Sequence, residues 1–120
     1  MRRLSTQYHI LVVEDSPEVS EAFVLLLQEE GYHVRAAANG RVALEALRRE
    51  RPCLVFVDLV MPELNGFELI DEMKRDATLA DIPVVAVTAS NYVAEGVETL
   101  KKPFRVNRVL ETAKHYCAEN

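Results

Sequence analysis

The sequence predicts a doubly wound α/β fold, in which helices cover both faces of a parallel sheet. Three short apolar runs, residues 10–13, 54–57 and 84–87, have the length and the β-branched content of strands that are buried on both faces. Patterns with apolar residues three and four positions apart, typical of helices, lie between such runs. Strands that alternate with helices along a chain pair in parallel through right-handed crossovers. We therefore expect one α/β domain.

Composition and charge narrow the class of protein. A chain of 120 residues with 49% hydrophobic and 28% charged residues suits one globular domain. The net charge of -5 argues against direct binding of nucleic acid, which depends on clustered Lys and Arg. No apolar run approaches the roughly 18 to 20 residues that cross a membrane, and no signal peptide is recognisable. We expect a cytoplasmic protein without a membrane partner, with residues 1–8 as a loose tail.

The positions of the two cysteines in the sequence do not predict a disulfide or a zinc site. Cys53 and Cys117 lie far apart in the sequence, without the spacing of a zinc site and without a secretory context that favours disulfides. Cysteine prefers protein interiors. We expect two free thiols, buried or half-buried.

The first strand and helix are marked by residues with specific end preferences. The strand at residues 10–13 ends in two carboxylates, Glu14 and Asp15. Ser16, followed by a proline and a glutamate, is typical of a helix N-cap, and Gly31 is typical of a helix end.

The same alternation continues to the end of the chain. The predicted elements are a strand at 34–38, a turn at Asn39-Gly40, a helix to 49, the strand at 54–57 that ends at Asp58, a helix after Asn65-Gly66, a strand at 84–87 that runs into Thr88 and a strand at 97–100. The last predicted element is a helix at 106–118, with apolar residues on one stripe: Val106, Val109, Leu110, Ala113 and Cys117.

Oxygen-bearing side chains follow three of these strands. Glu14, Asp15, Asp58 and Thr88 are expected to meet where open parallel sheets bind ligands, outside the carboxyl ends of the strands. Three carboxylates close together repel one another unless a cation neutralises them, and such hard oxygen ligands suit Mg²⁺. Lys102, followed by a proline, is expected at the end of the last strand, where it can supply a point charge for a phosphoryl oxygen.

Four motifs occur in an order and spacing that is highly specific, although each is weak alone. They are Glu14-Asp15, then Asp58 with Met61-Pro62 and Gly66, then Thr88-Ala89, then Lys102-Pro103-Phe104. In this arrangement nearly the whole chain resembles the response-regulator receiver domains of two-component signalling. The resemblance implies a flavodoxin-like, five-stranded parallel sheet of order 2-1-3-4-5, spanning residues 1–120 as one receiver domain.

The resemblance also implies a reaction and its residues. Asp58 would accept a phosphoryl group from a phosphohistidine on a histidine kinase or phosphotransfer protein, and a downstream protein partner would read the result. The chain would catalyse only its own phosphorylation and dephosphorylation. Lys102 and the hydroxyl of Thr88 would hold phosphoryl oxygens. The implied Mg²⁺ ligands are Asp15, Asp58, Glu14 directly or through water, and the backbone carbonyl of Val60.

Two features depart from the family pattern. The segment from Thr88 to Lys102 is clearly shorter than the family usually shows, whereas a parallel crossover commonly takes a dozen or more residues. We therefore expect the fourth helix to be absent or reduced to a turn. Thr99 occupies the position, three before the lysine, where the family usually carries an aromatic that reports phosphorylation. We therefore expect phosphorylation to be reported to partner proteins in a different way from that of a typical receiver domain.

Other interpretations remain open. Taken singly, the carboxylates could be helix-start residues, and Lys102 could be an exposed strand-end charge. The principal alternative function is a receiver-fold interaction module that signals without phosphate. A phosphohydrolase with an aspartate nucleophile is disfavoured, because such enzymes generally carry a second aspartate two residues after the first, where this chain has Val60.

Overall fold

The computed structural model describes residues 9–61, 65–89 and 94–117. Within them the chain forms a five-stranded sheet of order β2-β1-β3-β4-β5, in which all neighbouring strands are parallel. The predicted sheet order is confirmed. The strands are β1 (His9–Val13), β2 (His33–Ala37), β3 (Leu54–Asp58), β4 (Val84–Thr88) and β5 (Glu98–Lys101), and the helices are α1 (Pro17–Glu29), α2 (Gly40–Arg49), α3 (Gly66–Arg75) and α4 (Val106–Cys117).

Two hydrophobic clusters lie on opposite faces of the sheet. Every residue of β1 and of β3 is buried, as their continuous apolar sequences require. Successive side chains alternate between the two faces, so each central strand contributes to both clusters. Leu11, Val13, Val55 and Val57 pack with residues of α2 and α3, whereas Ile10, Val12, Leu54 and Phe56 pack with residues of α1 and α4.

Polar side chains cap the amino ends of three helices. The hydroxyl of Ser16 accepts a hydrogen bond from the Val19 amide, which confirms the predicted N-cap of α1. Asn39 caps α2 in the same way, so the prediction of a turn at Asn39-Gly40 was wrong: Gly40 is the first helical residue. Asn65 and Glu68 form a reciprocal capping box at the start of α3.

Most residues of the stripe predicted for the last helix are buried. Val109, Ala113 and Cys117 are buried against the sheet. Val106, which lies on the same stripe and is the first residue of α4, is 50% exposed. In the part of the chain that the structure describes, no helix has the length and apolar character needed to span a membrane.

The expectation of a missing fourth helix is not supported as stated. The described residues contain four helices, and the fourth in chain order is α4. The expectation concerned the connection between Thr88 and Glu98, of which residues 90–93 lie outside the described residues. Its later part, Ala94–Val97, forms a turn in which the Val97 amide donates to the Ala94 carbonyl.

The prediction of two free thiols was wrong, because Cys53 and Cys117 form a disulfide. Cys53 directly precedes β3, at the amino end of the sheet. Helix α4 follows β5 and runs back toward that end, so its last residue, Cys117, arrives beside Cys53 with 5.5 Å between the two Cα atoms. The fold brings together two residues that are 64 positions apart in the sequence.

The disulfide is expected to stabilise the fold by restricting the unfolded chain. Closing a loop of 64 residues contributes roughly 4 kcal/mol in the chain-entropy model. Reduction should therefore lower the free energy of unfolding by up to about that amount, measured by urea denaturation with and without a dithiol reductant. The Cys53→Ser variant should lose similar stability and should not respond to the reductant. Equal stability of the oxidised and reduced protein would contradict the prediction.

Candidate functional site

The carboxyl ends of the strands gather the predicted site residues at one edge of the sheet. Glu14 and Asp15 directly follow β1, Asp58 is the last residue of β3, and Thr88 is the last residue of β4. Val13 of β1 lies in register with Val57, and Asp58 lies in register with Val87. Adjacent parallel strands of equal length therefore end side by side, which places their terminal polar residues next to one another.

Three carboxylates converge at this edge. One oxygen each from Glu14, Asp15 and Asp58 lies within 4.8 Å of the others. Glu14 is 6% exposed and Asp58 is 8% exposed, whereas Asp15 is exposed. Hard carboxylate oxygens at this spacing, with one side open, fit the preferences of a partly hydrated Mg²⁺.

Lys102 supplies positive charge to the cluster. Its Nζ lies 2.9 Å from Glu14 Oε1 and 3.4 Å from Asp58 Oδ2, and its side chain is only 19% exposed. Its backbone is held as well, because the Lys102 amide donates to the Thr88 carbonyl at 2.7 Å. Lys102 therefore reaches the site from the end of β5, as the sequence predicted.

Burial and neighbouring charges both shift the pKa values of Lys102 and Glu14. Burial would lower the pKa of Lys102, but the hydrogen bond to Glu14 and the charges of Glu14 and Asp58 together raise it. The pKa of Glu14 is raised from its ordinary value, mainly by burial and further by the charge of Asp58. Hydrogen bonds from Lys102 and from the Ser16 amide only partly offset that effect.

The carboxylate of Asp58 is oriented from two sides. Its Oδ1 accepts a hydrogen bond from the Val60 amide at 3.2 Å, and its Oδ2 faces Lys102. Val60 is 55% exposed. Thr88 is buried at the end of β4.

Helix α3 begins beside the site at Gly66. The sequence alone does not show why a glycine is needed there. A Cβ atom on Gly66 would collide with the carbonyl oxygen of Asp58 and with the Cα of Leu59. The Gly66 amide donates to the Leu59 carbonyl at 3.2 Å. The sequence predicted a helix after Asn65-Gly66, but only the folded chain shows that the glycine lets α3 start directly against the Asp58 main chain. Pro62, part of the same motif, lies outside the described residues.

An aromatic cluster supports the segments that carry Asp58 and Lys102. The ring of Phe23 on α1 lies 4.9 Å from that of Phe56 and 4.6 Å from that of Phe104, measured between centroids. Phe56 is two residues before Asp58, and Phe104 is two residues after Lys102. Helix α1 therefore packs against both segments at once.

Comparisons with known proteins agree on one family. A family model described as the response regulator receiver domain matches residues 10–114. The polar-differentiation response regulator DivK of Brucella anthropi is 33% identical over 120 residues, covering 92% of this chain and 96% of DivK. Protein PilH of Pseudomonas aeruginosa is 33% identical over 111 residues, covering 86% of this chain and 92% of PilH.

Relatives of this chain also occur as parts of longer proteins, and solved structures share its fold. Histidine kinase P4 of Formosa agariphila is 35% identical over 105 residues, which are 8% of that protein. Chemotaxis protein CheY4 of Vibrio cholerae superimposes with a TM-score of 0.82 at 26% identity, covering 91% of this chain and 98% of CheY4. The receiver domain of a signal transduction histidine kinase from Syntrophus aciditrophicus has a TM-score of 0.84 at 30% identity, with 92% and 90% covered.

The charge on Lys102 is expected to stabilise the fold in a pH-dependent way. A carboxyl whose folded pKa is raised loses stability as pH rises from its unfolded to its folded pKa. Removing the ammonium should raise the pKa of Glu14 further above its ordinary value of 4.5. Lys102→Met should therefore be less stable than the native protein by about 1–3 kcal/mol at pH 7. The deficit should shrink as pH falls through the raised pKa of Glu14 and should be small by about pH 4.5, measured by urea denaturation in the presence of a chelator.

The matched control is Lys114→Met, which removes an exposed lysine from α4 and should change stability little at any pH. A deficit of Lys102→Met that is independent of pH would assign the loss to packing of the lysine stem.

Proposed function

Because the chain belongs to the family of response regulator receiver domains, we propose that Asp58 is phosphorylated by a phosphohistidine on a partner protein during two-component signalling. The observation that carries this proposal is the convergence of Asp58 with Glu14 and Asp15, with the Lys102 ammonium 3.4 Å from the Asp58 carboxylate. The phosphodonor would be a histidine kinase or a phosphotransfer protein.

The proposed step is a phosphoryl transfer between two side chains. A carboxylate oxygen of Asp58 attacks phosphorus, the bond from phosphorus to the histidine nitrogen breaks, and that nitrogen retains the electron pair and takes up a proton. An aspartyl phosphate is an established covalent intermediate. Such transfers require mainly positioning and charge neutralisation. The Val60 amide and Lys102 would hold the Asp58 carboxylate in place for attack.

Mg²⁺ fits the donor set of this site. Asp15, Asp58 and the backbone carbonyl of Val60 would hold it, with Glu14 as a ligand directly or through water. When bound, the ion would neutralise charge on the transferring phosphoryl group. Lys102 and the hydroxyl of Thr88 would bind phosphoryl oxygens.

We further propose that a downstream protein, and not nucleic acid, reads the phosphorylated state in the cytoplasm. Thr99, at the position of the family's usual aromatic, is half-buried, and its hydroxyl donates to the Val97 carbonyl at 3.4 Å. A threonine is too small to act as the usual aromatic switch. The shortened connection before β5 would change the shape of the same surface, so the read-out would differ from that of a typical receiver.

Phosphorylation of Asp58 is tested with a small phosphodonor. Incubation with acetyl phosphate and Mg²⁺ should add the mass of one phosphoryl group, detected by mass spectrometry at acidic pH, and omission of Mg²⁺ should abolish the increase. Asp58→Asn should show none. Asp71→Asn, which removes an exposed carboxylate paired with Arg75, is the matched control and should react normally. A native protein that gains no mass would favour the alternative of an interaction module that works without phosphate.

The lifetime of the phosphorylated state should depend on Val60. Its apolar side chain, 55% exposed beside Asp58, cannot orient an attacking water. An amide there could add one hydrogen bond worth about 1 kcal/mol, so Val60→Asn should lose phosphate about fivefold faster in a dephosphorylation time course. Val42→Asn, at another exposed valine, should leave the rate unchanged. Equal or faster loss in the native protein would contradict the prediction.

A further inference from the structure

The disulfide between Cys53 and Cys117 lies at the end of the sheet opposite to the candidate site. Cys53 directly precedes β3, and Asp58 is the last residue of that strand. At about 3.3 Å for each residue of a strand, Cys53 and Asp58 are roughly 16 Å apart. A change in the state of the disulfide therefore does not reach the carboxylates of the site directly.

The two cysteines differ in their exposure to solvent. Cys117 is 2% exposed, whereas Cys53 is half-buried. A disulfide is opened by a thiolate that reaches one of its two sulfur atoms. A small thiol therefore meets the sulfur of Cys53 first, and the buried Cys117 is then the leaving group.

The surroundings of the pair suit two thiols as well as a disulfide. Cys117 belongs to the same apolar cluster as Val109 and Ala113, and Cys53 packs against that cluster. A free cysteine behaves as a small hydrophobic residue with a weak S–H donor. Cys53 Sγ lies 3.3 Å from the carbonyl oxygen of His9, so a thiol at this position has an acceptor for its proton. The folded chain therefore accommodates the reduced pair.

The last turn of α4 has few other strong contacts among those described. Tyr116 donates a hydrogen bond to the carboxylate of Glu98 on β5 at 3.4 Å, and Arg108, earlier in α4, pairs with the same carboxylate at 3.6 Å. Both contacts are exposed, and exposed polar contacts contribute little to stability. The disulfide therefore contributes most to the order of this turn.

We propose that Cys53 and Cys117 form a site of reversible thiol–disulfide exchange, with a small thiol such as glutathione and its disulfide as co-reactants. The exchange controls the order of the last turn of α4. This inference rests on the proposed function, because that proposal assigns the chain to the cytoplasm, where protein disulfides are usually transient. It adds a second input to the receiver domain, which acts on the surface of α4 and β5 and leaves the Asp58 site unchanged.

The exchange takes place in two steps. The thiolate of one small thiol attacks the sulfur of Cys53, the bond between the two cysteines breaks, and Cys117 leaves as a thiolate that takes up a proton. A second small thiol then attacks the sulfur that has been added to Cys53, which releases the small disulfide and leaves Cys53 as a thiol. Two small thiols are oxidised to one disulfide while the protein disulfide is reduced to two thiols.

Exchange is tested by equilibrating the full chain with reduced and oxidised glutathione at different ratios. Free thiols are then trapped with an alkylating reagent and counted by mass spectrometry. The protein should gain two alkyl groups at reducing ratios and none at oxidising ratios, and both starting states should reach the same end point. Cys53→Ser, the matched control, should gain one group at reducing ratios. Failure of the reduced, folded protein to form the disulfide again would overturn the proposal.

The effect on α4 is measured by backbone ¹⁵N relaxation of the oxidised and reduced protein. On reduction, order parameters of residues 115–117 should fall from about 0.85, typical of a rigid backbone, to below about 0.6. Residues 54–58 should stay near about 0.85 in both forms. Cys53→Ser should resemble the reduced protein with and without reductant. Equal order of residues 115–117 in the two native forms would overturn the proposal, because the disulfide would then be a structural link only.

Phosphorylation of the two forms separates failure of this inference from failure of the proposed function. With acetyl phosphate and Mg²⁺, the oxidised and reduced protein should react at rates within about twofold of each other, because distant sites are nearly independent. A larger difference would overturn the claim that the exchange acts on α4 alone. A protein that exchanges its disulfide and loosens α4 but accepts no phosphoryl group would contradict the proposed function and support the exchange.

Discussion

Repulsion among three carboxylates at one edge of the sheet is the constraint around which this molecule is arranged. Parallel strands that end together bring Glu14, Asp15 and Asp58 within 4.8 Å of one another, and two of the three are almost fully buried. Such a cluster is unfavourable unless positive charge offsets it. Lys102 supplies one such charge, and its backbone bond to Thr88 ties it to the neighbouring strand. The site thus depends on strand pairing as much as on its charged groups.

The sheet that carries this cluster was predictable because its signals are local. The central strands are continuous apolar runs, which only burial on both faces explains, and Ser16 marked the start of α1 by its own chemistry. The order in which strands end in polar residues then predicted which side chains would meet. Asn39 was misjudged because an Asn-Gly pair is typical of both turns and helix starts.

Contacts that depend on the assembled fold were not predictable from the sequence. The Cys53–Cys117 pair requires knowing that α4 runs back to the amino end of β3, which no spacing of cysteines reveals. The preference of Lys102 for Glu14 over Asp58 depends on differences of half an ångström between side chains that are far apart in the sequence. Local patterns predict the elements and their ends, whereas the relative strength of long-range contacts is set by the packing of all of them.

The close approach of Gly66 has a consequence for protein engineering. Every other residue type carries a Cβ, and at this position a Cβ meets the main chain of Asp58 and Leu59, which cannot move aside as a flexible side chain could. A designer who replaces α3, for example to attach a new binding surface, can vary its exposed positions but must keep its first residue. A grafted helix that starts at the same distance from this main chain therefore has to begin with glycine.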